Sequence, residues 1–290
     1  ERGEVGGVIL FADNVAQPRA ALRAAIGRLQ RAARAGGRPK VLVMVDQEGG
    51  LVKRLPGPPS TSAAAMRAPG AEGRATGRML RRLGIAVDLA PVADVAHPGT
   101  FLGSRAFGRT PGRVARRACA FAQGLRAAGV APALKHFPGL GHARVNTDDA
   151  PATVRASAAA LRRDYAPYRR CGTEAGTLAM LSSAVYPRLT GGEPAVLTRA
   201  AYRELPRSGP WPVTISDALE TPALANEATP ARRALAAGLD MLLYANTEQG
   251  SAAAYRILLA DARAGRLARA RVDEAGKRVL RLKAHLARAR

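Results

Sequence analysis

The sequence lacks long apolar runs, and it contains few cysteines and few aromatic residues. No run approaches the roughly 18 apolar residues that a membrane-spanning helix needs, which excludes a protein built on such helices. Two cysteines among 290 residues exclude a disulfide scaffold and a zinc domain built from cysteines. Aromatic residues make up 4% of the chain, so the core has to consist mainly of Ala, Val and Leu. Apolar residues make up 47%, which at this length favours one large α/β barrel or two modest domains.

The two cysteines and the N-terminus say little about the compartment. Cys119 and Cys171 fall in predicted helices, and the ordinary interpretation of both is a small buried apolar residue. A disulfide between them is the less favoured alternative. No signal or transit peptide is visible at Glu1. The sequence leaves a secreted or cell-envelope location and a cytoplasmic location equally open, and it does not indicate an oligomeric state.

Acidic residues are scarce, since 22 Asp and Glu stand against 45 Lys and Arg and leave a net charge of +23. This charge invites a nucleic-acid interpretation. The arginines, however, are scattered over the outer faces of predicted amphipathic helices, mainly at 19–35 and 272–289. There is no zinc-finger spacing, no helix-turn-helix signature and no basic patch interleaved with aromatic residues. We therefore expect a solvated arginine-rich surface and no specific nucleic-acid partner, with weak attraction to anionic polymers left open.

Short β-branched runs alternate with longer Ala/Leu/Arg runs of helical period, which is typical of parallel strands joined by crossover helices. No long linker divides the chain, so residues 1–290 are predicted to form a single domain. The predicted strands are 7–11, 41–45, 87–93, 131–134, 178–181, 213–216 and 241–245. The predicted helices are 19–35, 72–83, 111–128, 156–171, 230–238, 252–264 and 272–289.

Polar side chains follow nearly every predicted strand, for example Asp46, Asp94, Lys135 and Asp217. A barrel of parallel strands gathers these carboxyl ends at one mouth, where such enzymes carry out their chemistry. A doubly wound open sheet is the alternative, but the Gly-rich phosphate loop that usually follows its first strand is absent. The favoured fold is therefore an α/β TIM-type (β/α)8 barrel. Only seven strands can be counted, and the first strand is expected to lie just before Glu1.

Four segments together resemble the N-terminal catalytic domain of glycoside hydrolase family 3, and in particular the single-domain β-N-acetylglucosaminidases of bacteria. Their order and spacing extend through almost the whole chain, and the third segment is highly specific. They are Val45–Leu55, Leu89–Val95 with the following Gly103–Gly108, Lys135–Gly141 (Lys-His-Phe-Pro-Gly-Leu-Gly), and Ile215–Leu219. The family's first strand precedes the segment that Gly7–Phe11 matches, which agrees with the strand expected before Glu1.

The resemblance implies that Asp217 is the catalytic nucleophile, because the family's nucleophile is the Asp after the Ile-Ser of the seventh strand. The residues alone support the same role, since Asp217 is a carboxylate at the end of an apolar strand. The alternative is a purely structural role, in which Asp217 caps the N-terminus of a following helix.

The same motifs imply a set of residues that bind the sugar. Carboxylate, guanidinium and ammonium groups suit a pyranose, because each hydroxyl both donates and accepts hydrogen bonds. The alternatives are ion pairs at the barrel rim for the charged members and a structural role for the histidine. Glu48 and the Gly49-Gly50 pair are expected to shape a turn rather than to take part in chemistry. The predicted binding residues are Asp46, Arg54, Arg105, Lys135 and His136.

The chain departs from the family pattern at the proton donor. Where the acetylglucosaminidases have Asp-Ser-His, this chain has Asn146-Thr147-Asp148. Asp148 is the first candidate for the acid/base, provided that burial or the charge of Asp217 raises its pKa. The second alternative is that His142 or Asp149 takes the acid/base role instead of Asp148. The third is a site that binds sugar with little or no turnover.

The resemblance therefore implies a retaining glycoside hydrolase that removes a terminal β-linked sugar. The expected sugar is N-acetylglucosamine on a cell-wall or chitin-derived saccharide, and the expected catalytic pair is Asp217 and Asp148. The alternative is a catalytically impaired saccharide-binding protein of the same fold. No cofactor and no metal is implied.

Overall fold

A continuous parallel sheet frames the fold in the computed structural model, which describes residues 3–206 and 212–288. Seven strands form it in the order β1-β2-β5-β6-β7-β8-β9, and β3 pairs antiparallel with β4 as a separate hairpin. In chain order the strands are β1 (Gly7–Leu10), β2 (Leu42–Val45), β3 (Gln47–Gly49), β4 (Val52–Lys53), β5 (Val87–Asp88), β6 (Ala131–Phe137), β7 (Leu178–Leu181), β8 (Val213–Ala218) and β9 (Met241–Leu243).

All seven predicted strands are present in this sheet, whereas the β3–β4 hairpin was not predicted. The hairpin interrupts the chain directly after β2 and turns at Gly49 and Gly50, whose φ angles are 93° and 63°. A Cβ on Gly49 would lie 2.3 Å from the carbonyl oxygen of Thr61. The glycine pair therefore shapes a turn, as the sequence predicts, because both the backbone angle and the space exclude a side chain.

The helices fill the intervals between the strands. The prediction for 19–35 is confirmed without change, and most others shift by a few residues at one end. The helices are α1 (Ala12–Val15), α2 (Arg19–Ala35), α3 (Pro69–Leu83), α4 (Pro111–Ala127), α5 (Ala158–Asp164), α6 (Pro187–Thr190), α7 (Arg199–Arg203), α8 (Pro230–Ala237), α9 (Glu248–Arg263) and α10 (Arg269–Arg288).

The single helix predicted over 156–171 is wrong. The segment forms α5 and then a short π-helical turn at Tyr168–Gly172. Pro167 lies between the two pieces and has no N–H to donate to the preceding turn, so regular α-helical bonding cannot continue through it.

The π-helical turn is linked to α4 by a disulfide between Cys119 and Cys171, whose Cα atoms are 5.7 Å apart. The expectation that both cysteines are unpaired was therefore wrong. Both residues are buried, as predicted, but the fold brings them together across 52 residues of sequence. The helical pattern indicated that each cysteine side chain points inward. It did not indicate which residue the side chain contacts there.

The core has layers on both sides of the sheet. One cluster consists of side chains that point from the strands to the concave side, including Met44, Leu89, Met180 and Ile215. Leu282 of α10 is buried in the same cluster, so the last helix covers part of the concave side. Two further clusters lie between the strands and the surrounding helices, with α3 packed closely on α4. Small residues permit this packing, since a Cβ on Gly73 would lie 2.2 Å from the carbonyl oxygen of Phe121.

The sheet is curled, because Ile9 of β1 and Leu243 of β9 line the same cavity although their strands are at opposite ends of the strand order. Within residues 3–206 and 212–288, no ladder joins β1 to β9. The α/β class and the parallel sheet are thus confirmed, and among the described residues seven strands form that sheet. None of the described helices combines the length and the hydropathy that crossing a bilayer demands.

Candidate active site

A cavity of about 520 Å³ lies at the carboxyl ends of the strands. Its walls come from the carboxyl-terminal parts of the strands and from the segments that follow β1, β2, β5, β6, β8 and β9, so the curl of the sheet is what assembles it. All seven predicted site residues line this one cavity, namely Asp46, Arg54, Arg105, Lys135, His136, Asp148 and Asp217.

A buried cluster of charges forms one wall. Lys135 Nζ lies 2.6 Å from Asp46 Oδ1 and 2.7 Å from Glu48 Oε1. Arg105, which ends the short 3₁₀ turn Gly103–Arg105, donates to Glu48 through Nε at 2.9 Å and Nη2 at 2.8 Å. Two cations therefore hold two carboxylates in fixed positions, and a bidentate guanidinium pair is geometrically specific as well as strong.

The charges of this cluster stabilise one another against burial. Burial alone raises the pKa of the Glu48 carboxyl, but Lys135 and Arg105 outweigh it and lower the pKa from 4.5 to about 2. Burial lowers the pKa of Lys135, and the charges of Asp46 and Glu48 more than reverse this, so its pKa is raised. Glu48 and Lys135 are consequently both charged at neutral pH, and they present fixed charges to a polar ligand.

His136 is held by Asp94. The peptide bond between Lys135 and His136 is cis. The imidazole Nδ1 lies 2.7 Å from Asp94 Oδ2, and the same carboxylate accepts the backbone N–H groups of His136 and Leu140 at 2.7–3.1 Å. Asp94 is fully buried. With Nδ1 occupied, Nε2 is the ring nitrogen left to contact a ligand in the cavity.

Asp217 is placed by β8, and its Oδ1 accepts the backbone N–H of Ala218 at 2.9 Å. Burial raises the pKa of Asp217, the negative charge of Asp148 raises it further, and His136 and Lys135 oppose the shift. The helix-cap alternative is wrong, because the strand continues through Asp217 and the next helical turn starts only at Pro222.

Asp148 reaches the cavity from the loop after β6. Asn146 Nδ2 donates to Asp148 Oδ2 at 3.1 Å, and Thr147 between them is buried. Asp148 is exposed, so its environment differs from that of Asp217. The two substitutes considered for it do not line the cavity, since the ring of His142 contacts Asp164 and Asp149 is an exposed loop residue.

Arg54 contributes a donor without an acceptor. Its guanidinium lies over the Phe11 ring, 5.6 Å from the centroid, and its buried Nε has no hydrogen-bond partner among the described residues. A buried donor of this kind is costly unless something accepts from it. Since Arg54 lines the cavity, a hydroxyl or carbonyl oxygen of a ligand is a suitable acceptor.

Two residues of the site were not assigned from the sequence. Glu48 was expected to shape a turn, but it is the centre of the charge cluster, in contact with both Lys135 and Arg105. Asp94 supports His136 from 42 residues away. Both stand at or just after a predicted strand end, and this is the signal that could have indicated them. Their partners come from other strands, so local sequence does not reveal them.

Comparisons with known proteins point to one family. The family model for the glycosyl hydrolase family 3 N terminal domain matches residues 1–282. A protein named beta-hexosaminidase LpqI from Mycobacterium tuberculosis is 35% identical, over 96% of this chain and 76% of that protein. A beta-hexosaminidase of Pseudomonas aeruginosa is 36% identical, over 84% of this chain and 76% of that protein.

Solved structures resemble the chain over nearly its whole length. A glycoside hydrolase family 3 beta-N-acetylglucosaminidase from Paenibacillus sp. str. FPU-7 superposes with a TM-score of 0.90 at 31% identity, covering 98% of this chain. This chain spans 57% of that larger structure. M. tuberculosis LpqI gives a TM-score of 0.83 at 32% identity, with 97% and 86% of the two chains covered. The match of sequence model, relatives and fold over one continuous stretch places this chain in glycosyl hydrolase family 3, as its N-terminal domain.

Proposed function

We propose that this protein is a retaining glycoside hydrolase that removes terminal β-linked N-acetylglucosamine from a cell-wall or chitin-derived saccharide. The family membership and the names of the relatives support a β-hexosaminidase activity. The single observation that carries the proposal is that Asp217 and Asp148 share one cavity with the five predicted binding residues. A mouth formed by strand carboxyl ends is where barrels of this class place their active sites.

In the first step of the proposed reaction, the Asp217 carboxylate attacks the anomeric carbon while the glycosidic bond breaks. The leaving oxygen takes a proton from the Asp148 carboxyl. In the second step, water gives a proton to the Asp148 carboxylate and attacks the same carbon, which releases Asp217. The anomeric centre is inverted twice, and the configuration is retained overall.

The charged wall is proposed to hold the sugar. Asp46, held by Lys135, accepts hydrogen bonds from hydroxyl groups, and the guanidinium groups of Arg54 and Arg105 donate to oxygens of the ligand. His136 contributes Nε2, since Asp94 holds its other nitrogen. Because these partners already have fixed positions, binding orders few additional side chains.

We also propose that the curled sheet is a TIM-type (β/α)8 barrel in which one further strand lies between β9 and β1. The gap in pairing between these two strands supports this, as does the gathering of β1 and β9 around one cavity. A structure of a longer chain with an N-terminal extension would show an eighth strand in that gap. If the extension packs elsewhere, this part of the proposal is wrong.

The activity is tested with aryl β-glycosides, in particular the β-N-acetylglucosaminide. Wild type is expected to turn it over, and Asp217→Asn should lower kcat on the order of 10⁴-fold while a reaction product still binds, because only covalent catalysis is lost. A trapped glycosyl-enzyme on Asp217 would identify the nucleophile by mass spectrometry. Saccharide binding without turnover of any aryl β-glycoside would instead favour a non-catalytic sugar-binding protein.

A further inference from the structure

A cluster of two histidines and one aspartate lies outside the catalytic cavity. His97 Nε2 lies 3.2 Å and His142 Nε2 lies 3.1 Å from the same atom, Asp164 Oδ2. The three side chains come from three segments: the chain after β5, the loop after β6, and the last residue of α5. None of the three lines the cavity.

We propose that His97, His142 and Asp164 form a binding site for a divalent transition-metal ion such as Zn²⁺. Two imidazole nitrogens and a carboxylate oxygen are the ligand types that Zn²⁺ prefers. The three ligand atoms all lie within 4.8 Å of one another. Metal–ligand bonds of about 2.0–2.1 Å give ligand-to-ligand distances of about 3.3 Å in a tetrahedron, which is close to the two distances observed.

The burial of the cluster suits a cation. The Asp164 side chain is only 8% exposed, whereas those of His97 and His142 are 32% and 21% exposed. A buried carboxylate is stabilised by a positive charge, and the open side of the histidines leaves a fourth position to water. In the absence of an ion each imidazole donates Nε2–H to the carboxylate. With the proton on Nδ1 instead, each ring offers its Nε2 lone pair.

The two rings set a condition on binding. They are stacked, with centroids 3.6 Å apart and planes at 18°. Parallel rings direct their lone pairs side by side, so the rings have to rotate apart before both lone pairs meet at one ion. Both rings are partly exposed, and the His97 N–H joins the two segments by donating to the carbonyl of Gly141 at 3.2 Å.

The site has a defined structural consequence. His142 precedes Asp148 by six residues in the same loop. An ion shared with Asp164 would tie this loop to α5 and to the segment after β5 at once. Sequence spacing gave no indication of the site, because Asp164 is 67 residues from His97 and 22 from His142.

The test is Zn²⁺ binding to the whole chain after treatment with EDTA and removal of the chelator. Wild type is expected to retain one Zn²⁺ per chain through gel filtration, measured by elemental analysis. The affinity, measured by titration calorimetry, should fall by at least about tenfold in His97→Gln and in His142→Gln, because each loses a ligand. In ¹H–¹⁵N spectra of the imidazoles, Zn²⁺ should shift His97 and His142 and leave His136 and His285 in place.

Two variants serve as controls. His285→Gln replaces a histidine of α10 far in sequence from the cluster, and it should bind Zn²⁺ like wild type. Asp217→Asn removes a carboxylate of the catalytic cavity and should also keep the ion. The inference is overturned if wild type binds no Zn²⁺, if the two glutamine variants bind it undiminished, or if Asp217→Asn alone abolishes binding. All readouts are of binding, so they stand apart from whether the protein hydrolyses a glycoside.

Discussion

The two sides of the catalytic cavity are built on different principles. The side formed by strand ends is a buried network, in which the Lys135 and Glu48 side chains are 4% and 3% exposed and share a contact of 2.7 Å. The loop side presents Asp148 in an exposed position with one hydrogen bond from Asn146. This difference suits the two tasks of the proposed reaction, since a bound sugar needs fixed partners, whereas a group that exchanges protons with water needs access to it.

Among the changes that distinguish the two sides, the largest effect is expected from removing the Asp148 carboxylate on the loop side. Asp148→Ala should lower kcat for N-acetylglucosaminides with poor leaving groups by about 10²–10⁴-fold, because their leaving oxygen needs a proton. Activated aryl glycosides should lose much less, and azide should restore part of their turnover by attacking the glycosyl-enzyme without a base. Steady-state kinetics on a leaving-group series measures this.

The neighbouring Asp149, exposed and outside the cavity, provides the matched control. Asp149→Ala should behave like wild type. Equal rates for Asp148→Ala and wild type on every substrate would place the proton donor elsewhere.

A smaller effect, on stability, is expected from the buried side. The pKa of Glu48 is lowered to about 2 in the folded protein. The stabilisation that the Glu48 carboxylate gives to the fold is therefore complete above pH 4.5, and it is lost as the pH falls below that value. The difference between this pKa and the ordinary value of 4.5 corresponds to about 3 kcal/mol of unfolding free energy, and about 2 kcal/mol of this is lost by pH 3. Glu48→Gln should therefore be less stable at neutral pH and less sensitive to acid, as urea unfolding at several pH values would show.

The surface pair of Arg162 and Glu204 is a suitable comparison, because it has similar bidentate geometry but the arginine side chain is 56% exposed. Glu204→Gln should change stability much less than Glu48→Gln, because solvent screens an exposed pair. If Glu48→Gln and Glu204→Gln lose the same amount of stability, burial does not make the Glu48 network more stabilising than the surface pair.

The smallest effect is expected from the interaction between Asp148 on the loop side and Asp217 on the strand side. Asp217 has to be ionised to attack, and the charge of Asp148 is one cause of its raised pKa. Asp148→Asn removes that charge, so the acidic limb of the kcat/KM profile should move to lower pH. An activated aryl substrate is used, because it does not depend on the proton donor. A limb that stays in place, or that moves equally in Asp149→Asn, would show that the two carboxylates do not interact.

The strand pattern and the motifs allowed much of this protein to be predicted. Runs such as Leu42–Val45 are recognisable because a strand buried on both faces is apolar throughout, and the polar residue that follows, here Asp46, marks the rim of the sheet. The four motifs identified the family, which the family match over residues 1–282 confirms. The roles of the seven site residues stay predictions, although the structure brings all seven to one cavity.

Most of what the sequence did not reveal concerns contacts between distant segments. The Cys119–Cys171 disulfide, the Glu48 network and the cluster around Asp164 join residues that are 22 to 89 apart in sequence. The helix break at Pro167 is the exception, since a proline in a helical pattern is a local signal.

Sequence alone determined the order of the seven parallel strands and of the long helices, the inward faces and the family, because periodicity, turn residues and motifs are local properties. Only the tertiary structure decided which charges meet. Lys135 becomes the partner of Asp46 because the sheet curls and places the ends of β2 and β6 at one mouth. In that buried setting a lysine and two carboxylates stabilise one another, whereas the same residues in an extended chain would be solvated and independent.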